Sequence, residues 1–255
     1  MNSKWFPFFV KFLAVALVSG SSGRAYAYRP LATEDAGVAG KGVAQLEVSA
    51  DYLRWDNGDE EGNLLLVPIY GLTDWWEISL EIPWQLHDPQ DEGTHVGIGD
   101  INAVSKFLIL KEGSRRPSVV LKGVVKTNSG NPDHGLGSGD LDYSLVAAAS
   151  KALGRFTLHA MFGYAFVGDN GDPNIRNIFV YGVAADLDLT ERFHLVAEVN
   201  GKRHPDRLVS SHPVDGLLGA TYRVSDAVTV DGGLRFGFTE AAPSLNTTLG
   251  ASFTF

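Results

Sequence analysis

Apolar and polar residues alternate, one by one, along most of this chain. In the clearest run, from Trp76 to Leu86, every second side chain is apolar and most of the residues between are polar. Successive side chains of a β-strand point to opposite faces of a sheet, so this pattern is typical of a strand with one apolar and one polar face. No segment shows a convincing 3.6-residue helical period. We therefore predict an all-β fold.

The same alternation predicts about twelve strands, and the connections between them are alternately short and long. The long connections are rich in Asp, Asn, Gly and His, except for the last, Glu240 to Pro243, which is short where a long loop is due. An even strand number with short turns at one end and long loops at the other is typical of outer-membrane proteins. We predict a transmembrane antiparallel up-and-down β-barrel with strands at residues 43–55, 64–72, 75–86, 99–110, 118–127, 140–151, 155–167, 177–188, 192–202, 214–224, 227–239 and 244–255.

The first 27 residues have the features of a secretory signal peptide. Lys4 and Lys11 flank the start of an apolar run, and Ala25-Tyr26-Ala27 provides an A-x-A cleavage site. A membrane anchor is disfavoured because Lys11 splits the run and leaves an uninterrupted stretch too short to span. We predict a cleaved signal peptide at residues 1–27, a single barrel domain at residues 28–255, and export to the bacterial outer membrane.

The composition excludes several classes of function. The chain of 255 residues has no cysteine, which excludes disulfide frameworks, thiolate nucleophiles and zinc fingers. Its 21 basic and 30 acidic residues give a formal net charge of -9, which argues against nucleic acid as a partner. The glycine-rich stretch 135–139 precedes a predicted strand and not a helix, so it does not match a phosphate-binding loop. We predict no cofactor.

The two faces of the predicted strands differ in chemistry. The apolar face carries aromatic residues near strand ends, such as Tyr52, Trp76 and Trp84, as in the aromatic girdles of membrane barrels. The signal peptide and the C-terminal phenylalanine favour placing this face outside, against outer-membrane lipid. The opposite face would line the lumen, and its charged side chains are the candidates for setting selectivity: Glu77, Glu81, Asp100, Lys106, Lys122, Lys126, Asp142, His159, Glu198, Asp231 and Arg235.

The sequence leaves open whether this lumen is a pore or is plugged. The same charges that would line a pore could pair across a narrow barrel, because a buried charge demands a partner. Strands about 4.8 Å apart and tilted by about 40° give twelve strands a backbone radius of about 12 Å. This size lies between eight-stranded barrels, which side chains fill, and sixteen-stranded barrels, which leave a channel.

The last residue of the chain is an aromatic one. Phe255 shares a strand face with Phe253, Ala251 and Leu249. A C-terminal strand ending in phenylalanine resembles the assembly signal of bacterial outer-membrane proteins. We therefore predict that the barrel assembly machinery is a partner of this chain and that Phe255 is part of the signal it reads.

Several motifs together resemble one protein family. They are RPLATEDAG at residues 29–37, GKG at 40–42, QLE at 45–47, GLTD at 71–74, EISLEIP at 77–83, GIGD at 97–100 and GSGD at 137–140. With these motifs the chain resembles the outer-membrane transporters named for the MetA pathway of phenol degradation. The resemblance implies passage of small aromatic or hydrophobic compounds. The motifs are mainly turn and strand-end residues, so they specify architecture better than chemistry.

Three functions follow, in order of preference. The first is a channel for small molecules, the second a closed barrel with a structural or loop-mediated binding role, and the third an enzyme with a site at the barrel rim. His159, or His87 with Asp88, would be the starting point for the enzyme, but no Ser-His-acid set with fixed spacing accompanies them. We predict no catalytic and no metal site, and we interpret the loop histidines and the acidic loops 56–61 and 169–172 as solvated.

Overall fold

The alternating segments close into one antiparallel barrel. The computed structural model describes residues 29–88, 93–169 and 171–255. Within these residues the sheet is continuous and closes on itself, because β1 pairs with both β2 and β13. The strands are β1 (Ala44–Arg54), β2 (Glu60–Thr73), β3 (Trp76–Asp88), β4 (His95–Ile98), β5 (Asn102–Leu110), β6 (Ser118–Lys126), β7 (Asp142–Leu153), β8 (Phe156–Phe166), β9 (Ile178–Asp188), β10 (Phe193–Lys202), β11 (Val214–Arg223), β12 (Val228–Gly237) and β13 (Leu245–Thr254).

The wall of the barrel has twelve strands, as predicted. β4 and β5 both pair with β3 and together make one strand of the wall, interrupted at residues 99–101. A short 3-10 turn lies at Pro132–His134. Among the described residues, no helix is long and apolar enough to cross a membrane. The predicted signal peptide at residues 1–27 lies outside the described residues.

Two predicted connections are shorter than the sequence suggested. β2 begins at Glu60, so the predicted long loop at 56–63 is reduced to residues 55–59. The alternation rule missed this start because Glu60 to Asn63 are polar or glycine on both faces, yet they continue the pairing with β1. The loop predicted at 87–97 likewise contains the end of β3 and most of β4.

The outward face of the wall is apolar and open to the surroundings. Phe162, Val183 and Leu249 are more than half exposed, at 57%, 59% and 54%. At the short-turn end, the rings of Trp76 and Phe107 stack with their centroids 5.5 Å apart. A soluble barrel buries its large apolar side chains, whereas this barrel exposes them on its outward face. Such a surface suits contact with lipid. The predicted orientation of the two faces is therefore the observed one.

The buried core of the protein lies inside the barrel. Residues 29–43, which we name the luminal segment, form no strand and run through the interior. The Ala36 N–H donates a hydrogen bond of 2.8 Å to the Ser150 hydroxyl of β7, and the Ala36 side chain packs against Val120 and Ala148. The luminal segment thus packs against the apolar residues of the inward face of the wall.

The luminal segment enters β1 by passing very close to β2. The Gly42 N–H donates to the Gly71 oxygen at 2.8 Å, and the Gly71 N–H donates to the Val43 oxygen at 2.9 Å. A Cβ on Gly71 would clash with the backbone oxygens of Ala39 and Gly40. Only glycine lets the segment approach this closely, so Gly71 fixes where the segment turns into the lumen.

Candidate functional site

The predicted lumen residues lie where the alternation placed them. Ten are on barrel strands with their side chains toward the interior, and Asp100 lies in the break between β4 and β5. They fall into three groups with different neighbours. Their role in selectivity stays a prediction. The groups are a lysine cluster (Glu77, Glu81, Lys106, Lys122), a set facing the luminal segment (His159, Glu198, Asp231, Arg235), and a rim set (Asp100, Lys126, Asp142).

The lysine cluster is neutralised by the luminal segment. The Glu34 carboxylate lies between two amines, 2.6 Å from Lys106 Nζ and 2.8 Å from Lys122 Nζ. Lys122 also contacts Glu81 at 3.3 Å, and Lys106 lies 4.0 Å from Glu77. The Lys106 side chain is only 3% exposed. These lysines therefore anchor the segment to β5 and β6.

Glu198 of β10 holds the other side of the segment. Its carboxylate accepts the N–H of Ala32 at 2.9 Å and the N–H of Thr33 at 2.7 Å. Arg235 of β12 pairs with the same carboxylate and with Asp215 of β11. A buried carboxylate with both hydrogen bonds and a guanidinium partner is well compensated. The segment is consequently tied to opposite sides of the barrel.

His159 also helps to hold the luminal segment in place. Its Nδ1 lies 2.8 Å from the Ser150 hydroxyl, the same hydroxyl that accepts the Ala36 N–H. The Ser150 hydroxyl is thus engaged from two sides and buried beneath the segment. This arrangement positions the backbone of the segment, and it lies inside the lumen, not at the rim.

The rim set holds a long loop over the break in the wall. Asp100 accepts the N–H of Gly130 at 2.9 Å and the N–H of Ser138 at 2.8 Å. Lys126 lies between Asp100, at 3.5 Å, and Asp142, at 2.7 Å. These three charges fasten loop 127–141 to the point where β4 gives way to β5. They are fixed in a structural contact, which the sequence could not distinguish from a pore lining.

Replacing Asp100 with asparagine should loosen this loop. The amide would present an N–H group to one of the two backbone N–H donors, and charged hydrogen bonds are worth ~1.5–3 kcal/mol each. We expect amide hydrogen exchange in loop 127–141 to accelerate about tenfold or more, as measured by mass spectrometry on the folded barrel. The matched control is Asp133→Asn, an exposed change in the same loop. Equal exchange in the two variants would contradict the assigned role of Asp100.

A cavity of about 480 Å³ lies beside the luminal segment. One wall of the cavity is apolar, from β1, β2 and β5 together with the segment: Leu31, Leu53, Leu65, Val67, Ile69 and Val104. Its charged lining consists of six acidic and four basic side chains: Glu34, Glu47, Asp51, Glu77, Glu81, Asp215, Arg29, Lys106, Lys122 and Arg235. The lumen thus contains both a segment and a space of ligand size.

A possible metal-ligand grouping lies at the short-turn end of the lumen. Ligand atoms of Asp186, Asp188 and His194 lie within 4.8 Å of one another. A contact of 2.6 Å between His194 Nδ1 and Asp188 Oδ1 accounts for the grouping without an ion. We therefore assign no metal to it.

Several interior charges are absent from the predicted lumen residues: the cavity-lining strand residues Glu47, Asp51 and Asp215, and three residues of the luminal segment. Arg29, Glu34 and Asp35 belong to the luminal segment, where residues do not alternate and no strand is predicted. Lys106 and Lys122 could have indicated that such acidic residues exist. Both lysines face the interior from adjacent strands, and buried lysines require acidic partners. The alternation rule assigns strand residues only, so it could not find partners outside the strands.

Comparison with known proteins gives a family and a fold. Residues 27–255 match the family model described as "Putative MetA-pathway of phenol degradation". A COG4313 outer membrane channel from Pseudomonas putida F1 has a similar structure, with 12% identity, a TM-score of 0.69, and coverage of 86% of this chain and 98% of that chain. At such identity the likeness shows the fold alone. A search of curated proteins finds no match.

Two further solved structures share the barrel fold. A KdgM porin in complex with disordered oligogalacturonate has 9% identity and a TM-score of 0.58, covering 83% of this chain and 99% of that chain. The beta domain of the Bordetella autotransporter BrkA has 9% identity and a TM-score of 0.53, covering 82% of this chain and 98% of that chain. The barrel is therefore of the outer-membrane type.

Proposed function

The chain belongs to the family described as "Putative MetA-pathway of phenol degradation", as its motifs predicted, and from this premise we propose that it is an outer-membrane channel for small molecules. The observation that carries the proposal is the cavity of about 480 Å³ inside a closed barrel. Two of the structures with this fold are described as a channel and a porin. We place the protein in the bacterial outer membrane, assembled there by the barrel assembly machinery.

The lining of the cavity favours solutes with an apolar body. Leu65, Val67 and Ile69 present a continuous apolar stripe on the inward face of β2, where a water-filled porin would present polar groups. A volume of this size suits a small molecule and not a folded partner. The family description points in the same direction, toward phenol-like compounds. We therefore propose small aromatic or other partly apolar solutes.

The luminal segment limits the size of what passes. Its acidic and backbone groups are tied to β5, β6 and β10 through Glu34, Ala32 and Thr33. The same ties favour the second candidate function, a closed barrel whose role is structural or depends on its loops. We propose no enzymatic activity, since His159, one starting point for a catalytic site, contacts Ser150 beneath the segment, and His87, the other, lies 3.6 Å from Glu61.

Conductance and solute flux distinguish the channel from the closed barrel. The full chain, exported and purified as a folded barrel, is reconstituted in planar bilayers and in liposomes, and phenol uptake is measured. We expect discrete channel events and phenol uptake faster than in protein-free liposomes. Silent bilayers together with unaltered uptake would contradict the channel and support the closed barrel.

A paired substitution tests whether the flux uses the cavity. Leu65 lines the cavity, whereas Leu66, the next residue of β2, points outward and is 39% exposed. Leu65→Trp should fill part of the cavity and lower phenol uptake at least about fivefold, since a tryptophan side chain is far larger than that of leucine. Leu66→Trp should leave uptake near the wild-type value. Equal effects of the two variants would place the path elsewhere.

A further inference from the structure

The guanidinium of Arg29 occupies an acidic site on the lumen wall. Its Nη2 donates to the Thr248 hydroxyl and lies 3.9 Å from Asp51 Oδ1, while its Nε lies 3.7 Å from Asp231 Oδ1. Asp51, Thr248 and Asp231 belong to β1, β13 and β12, three neighbouring strands of the wall. Three wall residues thus converge on a cation that the luminal segment supplies.

Arg29 occupies this site but leaves buried polar atoms of the site without hydrogen bonds. The Asp231 side chain is 0% exposed, yet neither of its carboxylate oxygens accepts a hydrogen bond from any described residue. The buried Arg29 Nε likewise has no hydrogen-bond acceptor among the described residues. Distances of 3.7 and 3.9 Å are too long for hydrogen bonds, and buried carboxylates normally accept several. The site therefore has unused capacity for a donor that fits it better.

The floor of the site is a glycine. A Cβ built on Gly250 would lie 2.7 Å from Asp231 Oδ2 and 2.8 Å from Arg29 Nε. Any other residue at this position would push the carboxylate and the cation apart. The backbone of β13 therefore leaves room for a cationic group at Gly250.

The site opens onto the cavity. Arg29, Asp51 and Thr248 all line the cavity, as do Asn63 and Asn246. The side-chain oxygens of Asn63 and Asn246 are buried and accept no hydrogen bond from the described residues. A small solute in the cavity would meet a net negative lining, with an apolar wall beside it.

We propose that Asp51, Asp231 and Thr248, seated over Gly250, form a binding site for the cationic group of a small organic guanidine or amine. Arg29 occupies this site as a tethered competitor when no such ligand is present. The inference rests on the proposed function only in that the ligand reaches the site through the cavity. It adds a charge preference, because the site rejects anions and gains nothing from neutral solutes.

Binding of methylguanidinium to Arg29→Ala tests the site. Removing the tethered competitor should tighten methylguanidinium binding about tenfold relative to wild type, measured by calorimetry on the folded full chain. Methylurea, the neutral molecule of nearly the same shape, should not bind. The double variant Arg29→Ala/Asp231→Asn should lose the binding. Arg155→Ala, in an exposed turn, is the matched control and should bind like wild type.

The measurements test the binding site and the channel function independently of each other. If Arg29→Ala does not fold, Arg29→Gln replaces it, because glutamine keeps the side chain up to the position of Nε and removes the charge. Equal methylguanidinium binding with and without Asp231, or binding in none of the variants, would overturn the site. Phenol uptake by the wild type is measured on the same preparation. A conducting barrel that binds no methylguanidinium refutes the site alone, and a silent barrel that binds it refutes the channel alone.

Discussion

Lys106→Met is expected to destabilise the barrel by about 3–5 kcal/mol, because it leaves buried acidic groups without their partner. Lys106 Nζ lies 2.6 Å from Glu34, 3.7 Å from Asp35 and 4.0 Å from Glu77, and its side chain is 3% exposed. Methionine keeps much of the length and apolar volume of lysine but not its charge. The luminal segment should detach from β5, and channel conductance should rise with its release.

The matched control is the exposed lysine pair of the same barrel. Lys151 Nζ lies 2.7 Å from Glu112, nearly the same distance as in the buried pair, but the Glu112 side chain is 40% exposed. Exposed ion pairs contribute about 0–1 kcal/mol, so Lys151→Met should be almost neutral. Stability is measured as the urea midpoint of the barrel in lipid vesicles. Similar shifts for the two variants would show that burial does not govern these charges.

A second substitution separates lost packing from unpaired charge. If the cost of Lys106→Met comes from the acids left behind, adding Glu34→Gln should recover part of the stability, because it removes one of them. A double variant that is less stable than Lys106→Met would show instead that Lys122, the second partner of Glu34, depends on this carboxylate. Channel conductance should stay high in both variants, since neither restores the tie between the segment and β5.

The wall of the barrel could be predicted because the membrane imposes the pattern. A strand between lipid and lumen must alternate, so runs such as Trp76 to Leu86 fix strand, face and approximate ends together. The prediction failed where that constraint ends. Glu60 to Asn63 continue β2 with no apolar face, and residues 99–101, which belong to the predicted strand at 99–110, form a break between β4 and β5.

The interior could be predicted only in part. Alternation placed Glu77, Lys106 and Lys122 on the inward face, but it carries no information on their partners. Those partners lie in the luminal segment, which has no period of its own, and Glu34 is 72 and 88 positions from the two lysines. The sequence pattern therefore predicts which strand residues line the lumen. It does not predict their ion pairs with the luminal segment, which determine how much of the lumen that segment occupies.

Deletion of Phe255 should reduce the amount of folded barrel in the outer membrane about tenfold while leaving export intact. In the folded state the residue gives one backbone hydrogen bond, from its N–H to the Ala44 oxygen at 2.8 Å, at the seam where β13 meets β1. One such bond contributes about 1 kcal/mol, so the deleted chain should still refold in vitro from urea with near-normal stability. Heat-modifiable migration on gels measures folded barrel in both settings.

The substitutions at the same position separate a recognition signal from a structural contact. Phe255→Ala keeps the backbone hydrogen bond to Ala44 and removes only the ring, so it should assemble as poorly as the deletion. Phe255→Tyr keeps an aromatic ring and should assemble well. Phe166→Ala, which removes an exposed aromatic residue at another strand end, should not impair assembly. Normal amounts of folded barrel in the deletion strain would refute the signal, whereas poor refolding in vitro would assign Phe255 to closure of the seam.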